Sequence, residues 1–316
     1  MTVTTGAPGP DDTSGAPRAR IAVLGSTNMD LVAYARVAPG LGETVTGESF
    51  RTVAGGKGAN QAVAAALAGG DVTMIGAVGD DDFGPRLRGV LDDAGVSTAA
   101  LRTVDGASGT AHIVVDGEGH NAIVVVPGAN GTVTALTAQD ERVVAAADAL
   151  LLQLELPLDG VLAGLVTARA HGVRTVLTPA PAQPLADELL SLVDLLVPNE
   201  HEAAALTGHR EPLRAARALL ERVPEVVVTL GAEGCLYARR DAEPLVVPAR
   251  RTTAVDTTAA GDTFVGTLAV ALGEGRPAPD ALAWATAASA LSVQRHGASS
   301  SMPRRADIDR LAASAP

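Results

Sequence analysis

The stretch 149-ALLLQLE-155, followed by 157-PLDGVLAGLVTARAHG-172 and 173-VRTVLTP-179, decides the fold. Its first four residues are apolar without interruption, so neither side of an extended chain here has a polar face to turn to solvent. The next segment has the pattern of an amphipathic helix, and the third is again an apolar strand. The alternation continues through 185-LADELLSLVD-194, 195-LLVPNE-200, 201-HEAAALTG-208, 212-PLRAARALLERVP-224 and 225-EVVVTLG-231. Continuous apolar strands separated by helices predict an α/β fold, a doubly wound and mainly parallel sheet with helices on both faces.

The first 130 residues read differently. The segments 43-ETVTGESFRTV-53 and 110-TAHIVVDGEGHNAIVVVP-127 look extended, the second as two strands around a D-G-E-G-H-N turn, and they are expected to pair into a small separate sheet. Between them, 57-KGANQAVAAALAGG-70 predicts an Ala-rich helix stopped by two glycines, followed by strand 72-VTMIGAVG-79 and helix 83-FGPRLRGVLDDAG-95. The sequence has no internal repeat and no interior linker.

Composition narrows the function. The chain has 316 residues, 47% of them hydrophobic, enough for one large α/β domain or two ordinary ones. A net charge of −12, from 24 basic against 36 acidic residues, and only three Phe, two Tyr and one Trp argue against a nucleic-acid partner. Small-molecule chemistry remains. The single cysteine, Cys235, reads as a buried, inert thiol. Residues 1–18, rich in Gly, Pro, Thr and Asp, read as a disordered tail without the apolar run of a signal peptide. No apolar stretch reaches about 18 residues, so no membrane association is expected and a cytoplasmic location is.

In open α/β sheets ligands bind beyond the carboxyl ends of the strands, and the polar sequences fall there. They are QLE (Gln153–Glu155), PNEHE (198–202), TLGAEG (229–234) and the run 254-AVDTTAAGDTFVG-266. In that run Asp262 follows Ala259, Ala260 and Gly261 at a helix start. Unpaired N–H groups and the helix dipole make such a place attractive to a phosphate or a developing oxyanion. A carboxylate in a first helical turn is also merely stabilising, and both readings stand on this motif alone. The loop 54-AGGKGANQA-62 lacks the spacing of a phosphate-binding P-loop, but Lys57 and Asn60 set donors one turn apart, suited to a polyhydroxylated ligand. The segment 199-NEHE-202 fits a helix capping box equally well, Glu155 fits an ordinary strand-end carboxylate, and 25-GSTNMD-30 fits an ordinary turn between strands.

Taken in order, GSTNMD, GGKGANQA, QLE, NEHEA, TLGAEG and DTTAAGDTF resemble the PfkB-type carbohydrate kinases over about residues 21–312. The resemblance implies one kinase domain over 19–316, with a β lid contributed by about 30–53 and 109–127. It implies transfer of a phosphoryl group from ATP to the 5-hydroxyl of D-ribose, with Mg²⁺ and a monovalent activator, K⁺. Another small sugar or a nucleoside is the alternative acceptor, and a sugar-binding sensor without turnover is the alternative from another class. Carried over residue by residue, sugar contacts fall on Asn28, Asp30, Gly56, Lys57, Asn60 and Glu155. The catalytic base falls on Asp262, and the anion hole on the N–H groups of Ala259, Ala260 and Gly261. Nucleotide contacts fall on Asn199, Thr229, Gly231, Gly234 and Thr286, with Glu202 in the Mg²⁺/phosphate motif. The K⁺ site falls on Asp256, Thr258, Ser292, Arg295, Gly297 and Ser301. Thr178 and Thr286 depart from residues often found in the family, Asn and His, which bears on nucleotide preference. Lids of this family often pair into a homodimer.

Overall fold

The computed structural model describes residues 18–314. A nine-stranded sheet runs in the spatial order β13-β12-β11-β10-β9-β8-β1-β4-β5. Its strands are β1 (Arg20–Leu24), β4 (Asp71–Gly79), β5 (Ser97–Val104), β8 (Ala149–Leu152), β9 (Arg174–Leu177), β10 (Leu195–Leu196), β11 (Glu225–Thr229), β12 (Cys235–Arg239) and β13 (Leu245–Val247). All neighbours pair in parallel except the β11/β12 and β12/β13 edge pairs. A second, four-stranded sheet has the order β3-β2-β6-β7, from β2 (Asn28–Tyr34), β3 (Ser49–Gly55), β6 (Gly109–Val115) and β7 (Asn121–Val126).

Period-two alternation sorts the large sheet's side chains into two cores. Ile21, Val23, Met74, Leu151 and Val176 face one core, with α1 (Lys57–Leu67), α2 (Phe83–Asp93), α8 (Ala260–Gly273), α9 (Ala278–Ser292) and α10 (Arg305–Ala313). Ala22, Leu24, Ile75, Leu150, Leu152 and Leu177 face the other, with α3 (Ala138–Ala146), α4 (Leu158–His171), α5 (Asp187–Leu190), α6 (Glu200–Thr207) and α7 (Pro212–Leu219). The α/β, doubly wound reading therefore holds, as does the separate small sheet. Cys235 is fully buried, and burial pushes its thiol up to about 11.

Three local expectations change. The segment 25-GSTNMD-30 is not simply a turn: Asn28–Asp30 open β2, because that strand finds partners on both sides, β3 and β6. In the expected extended segment 43–53 the strand begins only at Ser49 and runs on to Gly55. In 185–194 the helix is confined to Asp187–Leu190, since Leu192 and Val193 already bond back to Leu189 and Leu190 and the chain must enter β10. All but the last residue of the expected N-terminal tail lies outside the described residues. Among the described residues no helix is long and apolar enough to cross a membrane.

The chain's last helix is fastened to the sheet-facing layer through Trp284 of α9. The indole is 2% exposed, donates to Asp309 at 2.8 Å, and lies under the Arg276 and Arg305 guanidinium groups at 4.1 and 5.3 Å. Glu274 pairs with both arginines. Trp284→Ala therefore removes a buried ring and leaves two cations over a void, and is expected to lower unfolding free energy by about 3–5 kcal/mol. A denaturant midpoint within error of the wild type would contradict that account.

Candidate active site

Strand order reverses at β1: the chain moves to β4 and β5 on one side, then returns to β8 on the other. The loops leaving β1 and β8 diverge there, and the crevice between them is where such sheets accept ligands. Glu155, just past β8, lies in it. Its carboxylate accepts from Ser26 Oγ (2.5 Å), from the Lys57 backbone N–H (3.0 Å) and from Asn28 Nδ2 (3.5 Å). The first turn of α1 is thereby tied to both loops. Gly56, at the start of that helix, has φ +92°. Asn28, 2% exposed, is fixed from behind by Asn130, whose Nδ2 donates to Asn28 Oδ1 at 2.8 Å and to Thr27 O at 3.0 Å.

Asp262 comes from the far end of the chain and reaches the same place. Helices α1 and α8 pack closely because Gly266 has no side chain; a Cβ there would meet Gln61 O at 2.5 Å and Ala64 Cβ at 2.8 Å. Asp262 then accepts from Asn60 Nδ2 and from Gln61 Nε2, both at 3.1 Å. Burial pushes its carboxyl up to about 6, against the pull of Lys57, Gln61 and Asn60, with Glu155 adding to the rise. Burial likewise pushes Asp30 up to about 7; Glu155 and Asp262 add to this and Lys57 opposes it. For Lys57 burial acts downward, but Asp262, Glu155, Glu202 and Asp30 outweigh it and raise its pKa. One lysine thus faces four carboxylates.

At the α8 start, Ala259 adopts φ +56°, ψ 16°, the left-handed region that costs a non-glycine residue about 1–2 kcal/mol. The Ala260 N–H turns back to Thr257 O at 3.2 Å, and the first full helical bond is Thr263 N–H to Ala259 O at 2.8 Å. The N–H groups of Gly261 and Asp262 precede the first helical donor, Thr263 N–H, and so have no acceptor within the helix. A Cβ built on Gly261 would meet nothing within 4 Å, so space opens beside that residue. That space belongs to a cleft of about 530 Å³ that runs from Gly261 past Thr286 to Thr229, Gly231 and Gly234, with Arg250 and Arg251 on its wall. The cleft thus reaches Ala260 and Gly261, the two residues just before Asp262.

Of the residues expected to contact nucleotide, Thr229, Gly231, Gly234 and Thr286 line the cleft. The Thr286 hydroxyl donates to Leu282 O at 2.7 Å, back into its own helix. Asn199 and Glu202 do not line it; they form the capping box of α6, Asn199 Oδ1 accepting from Glu202 N–H and Glu202 Oε2 from Asn199 N–H, both at 2.8 Å. Burial nevertheless raises Glu202 above the ordinary glutamate range, with the Asn199 N–H and Lys57 opposing. Thr178 stands beside Gln61, its Oγ1 accepting from Gln61 Nε2 at 3.1 Å, and does not line the cleft. Asp256 accepts from Thr258 N–H and Gly297 N–H, each at 2.9 Å; these donors hold it below the ordinary carboxylate range although burial acts upward. The same turn brings up buried Ser292 and Ser301, with Arg295 N–H bonded to Ser292 O. Among the described residues no group of three His, Cys, Asp or Glu side chains converges as a metal cage.

Ser26, Gln61, Asn130 and Gln153 were not singled out from sequence. All four are at most 1% exposed. Small amides and hydroxyls are so common in turns and helices that only the folded contacts give them away.

The family model for pfkB family carbohydrate kinases matches residues 18–305. The chain is 41% identical over 310 residues to a ribokinase of Schizosaccharomyces pombe, covering 92% of this chain and 96% of that protein. It is 43% identical over 295 residues to a ribokinase of Bacillus subtilis, covering 92% and 98%. An Arabidopsis thaliana ribokinase structure, complexed with ribose and ATP, superposes with a TM-score of 0.89 at 32% identity, covering 95% of this chain and all of that one. The fold, the crevice at its strand reversal and these matches together make the chain a member of the pfkB family of carbohydrate kinases.

Proposed function

We propose that this protein is a ribokinase, transferring the γ-phosphoryl group of ATP to the 5-hydroxyl of D-ribose. The observation that carries the reading is that Asp262, held by Asn60 and Gln61 on the crevice side, directly follows Ala260 and Gly261, which line a cleft of nucleotide size. In the crevice, Asn28, Asp30, Lys57, Asn60 and Glu155 offer both donors and acceptors, matching a ligand with a hydroxyl on each carbon. Asp262 accepts the proton of the 5-hydroxyl as that oxygen attacks the γ-phosphorus; the Gly261 N–H and its neighbours stabilise charge on the transferring group. The carboxylate and the anion hole thus serve opposite partners. Thr229, Gly231, Gly234 and Thr286 hold the nucleotide.

Four carboxylates against one lysine leave a negative balance that suits a divalent cation, which would enter with the phosphates and sit near Glu202 and Asn199. Mg²⁺ supplies charge neutralisation on the phosphoryl oxygens. Asp256, with carbonyls and hydroxyls of Thr258, Ser292, Arg295, Gly297 and Ser301, suits K⁺. The small sheet serves as a lid that keeps water from the phosphoryl group. Its edge strand β7 exposes Ile123, Val124, Val125 and Val126 by 43–65%, so apolar side chains stand on both faces, and a partner lid is the cover we assign to them. A cytoplasmic location accords with this metabolism.

ADP release measured across pentoses, deoxyribose, hexoses and nucleosides should be fastest with ribose; greater kcat/KM for another acceptor would transfer the assignment to it. Asp262→Asn should retain fold and sugar binding while kcat falls roughly 10²–10⁴-fold. In the wild type, kcat should drop as pH falls through about 6, where the base takes up its proton, and kcat/KM should begin to drop already near 7, where Asp30 does. A near-normal kcat in Asp262→Asn would reject the base.

Turnover should rise with K⁺ and lose that response in Asp256→Ala. Equal kcat with and without K⁺ in the wild type would dismiss the cation site. Light scattering should give a dimer mass for the wild type and a monomer mass for Val125→Asp, whereas a wild-type monomer at high micromolar concentration would defeat lid pairing alone.

A further inference from the structure

Behind Asp262 lies a pair of buried amides that neither substrate can touch. Gln61, in the second turn of α1, is 0% exposed. Its Nε2 donates both to Asp262 Oδ1 and to Thr178 Oγ1, each at 3.1 Å, and its Oε1 accepts from Gln153 Nε2 at 2.7 Å. Gln153, 1% exposed, follows β8; its own Oε1 has no hydrogen-bond partner and lies against Gly25, where any Cβ would overlap it.

This chain of donors has one direction. Exchanging O and N on Gln153 alone would set two acceptors, its Oε1 and that of Gln61, against each other. Exchanging both would aim the Gln61 carbonyl at the Asp262 carboxylate. The arrangement keeps an N–H on Asp262, at the expense of an unpartnered Gln153 oxygen. The two Asp262 oxygens are consequently unlike. Oδ1 is held from the interior by Gln61, while Oδ2 is held by Asn60, which is 8% exposed and borders the crevice.

We propose that Gln61, locked by Gln153 and Thr178, is a positioning residue that anchors Asp262 Oδ1 so that Oδ2 is the oxygen presented to the sugar hydroxyl. The terminal torsion of an aspartate is broad, so an unanchored carboxylate would share its time among orientations of which few point a lone pair at the hydroxyl. Asn60 cannot be the anchor, because the incoming sugar competes for the same amide; Gln61 lies out of its reach. The inference rests on Asp262 being the base.

The test compares Gln61→Met, Gln153→Met and Thr178→Val with the wild type and with Asp262→Asn, reading kcat, sugar KM, the pH profile of kcat and the thermal midpoint. Gln61→Met should lower kcat by up to ~10²-fold, the scale of a misaligned reacting group, with sugar KM unchanged. The acid limb of kcat should move to higher pH, because a donor to the ionised carboxylate is gone while its other neighbours, Lys57, Asp30 and Glu155, are left in place. Gln153→Met and Thr178→Val, which leave Gln61 in place but free it, should move both readouts the same way by less, and they carry the test should Gln61→Met not fold. Folded Gln variants with wild-type kcat and acid limb, or with lower kcat and an unmoved limb, overturn the inference. An active Asp262→Asn instead overturns the base itself.

Discussion

The Glu155 carboxylate, sitting where the sheet reverses its strand order, is the contact on which the rest of the site depends. A carboxylate in a protein crevice needs donors to replace water, and it takes them from three places: Ser26 after β1, Asn28 at the start of β2 and the backbone at the start of α1. Each of those donors thereby acquires a fixed position relative to β8. Strand β2 of the small sheet begins at Asn28 and the helix carrying Lys57, Asn60 and Gln61 begins two residues after Gly55, so both are aimed from one point.

Gathering Asp30, Glu155, Glu202 and Asp262 around Lys57 is unfavourable in isolation. Burial raises Asp30 and Asp262 towards neutrality, and the lysine is what keeps the group tolerable. On the proposed reading such crowding is of use, because the protein must bind a polyol and take a proton from it near neutral pH. A carboxyl held near 6 is a stronger base than a free one and is still ionised at 7.

The cleft is built by different means, backbone rather than side chains. A left-handed Ala259, a helix start and a glycine with free space beside it expose N–H groups to the cleft. These two halves, charged crevice and N–H-lined cleft, come from segments some 200 residues apart, and the α1–α8 contact over Gly266 is what brings them edge to edge.

The layer architecture was legible in the sequence because it rests on local periodicity: ALLL at 149–152 and EVVV at 225–228 cannot be amphipathic, and the segments between them can. Lys57 and Asn60 drew notice by residue type and spacing, and Asp262 and Glu155 were singled out through the resemblance of the ordered motifs to a family. The sequence could not reveal that Asn28–Asp30 extend into a strand, because strand identity there comes from partners β3 and β6, far along the chain. Nor could it place Thr178 against Gln61, or separate the capping role of Asn199 and Glu202 from a ligand role, since a capping box and a binding motif use the same residues at the same spacing. Gln61 and Gln153 were invisible for a related reason: an amide in an Ala-rich helix and another after a strand have no local signature. Only tertiary packing, by burying both and facing them at 2.7 Å, turns two ordinary glutamines into a support for Asp262.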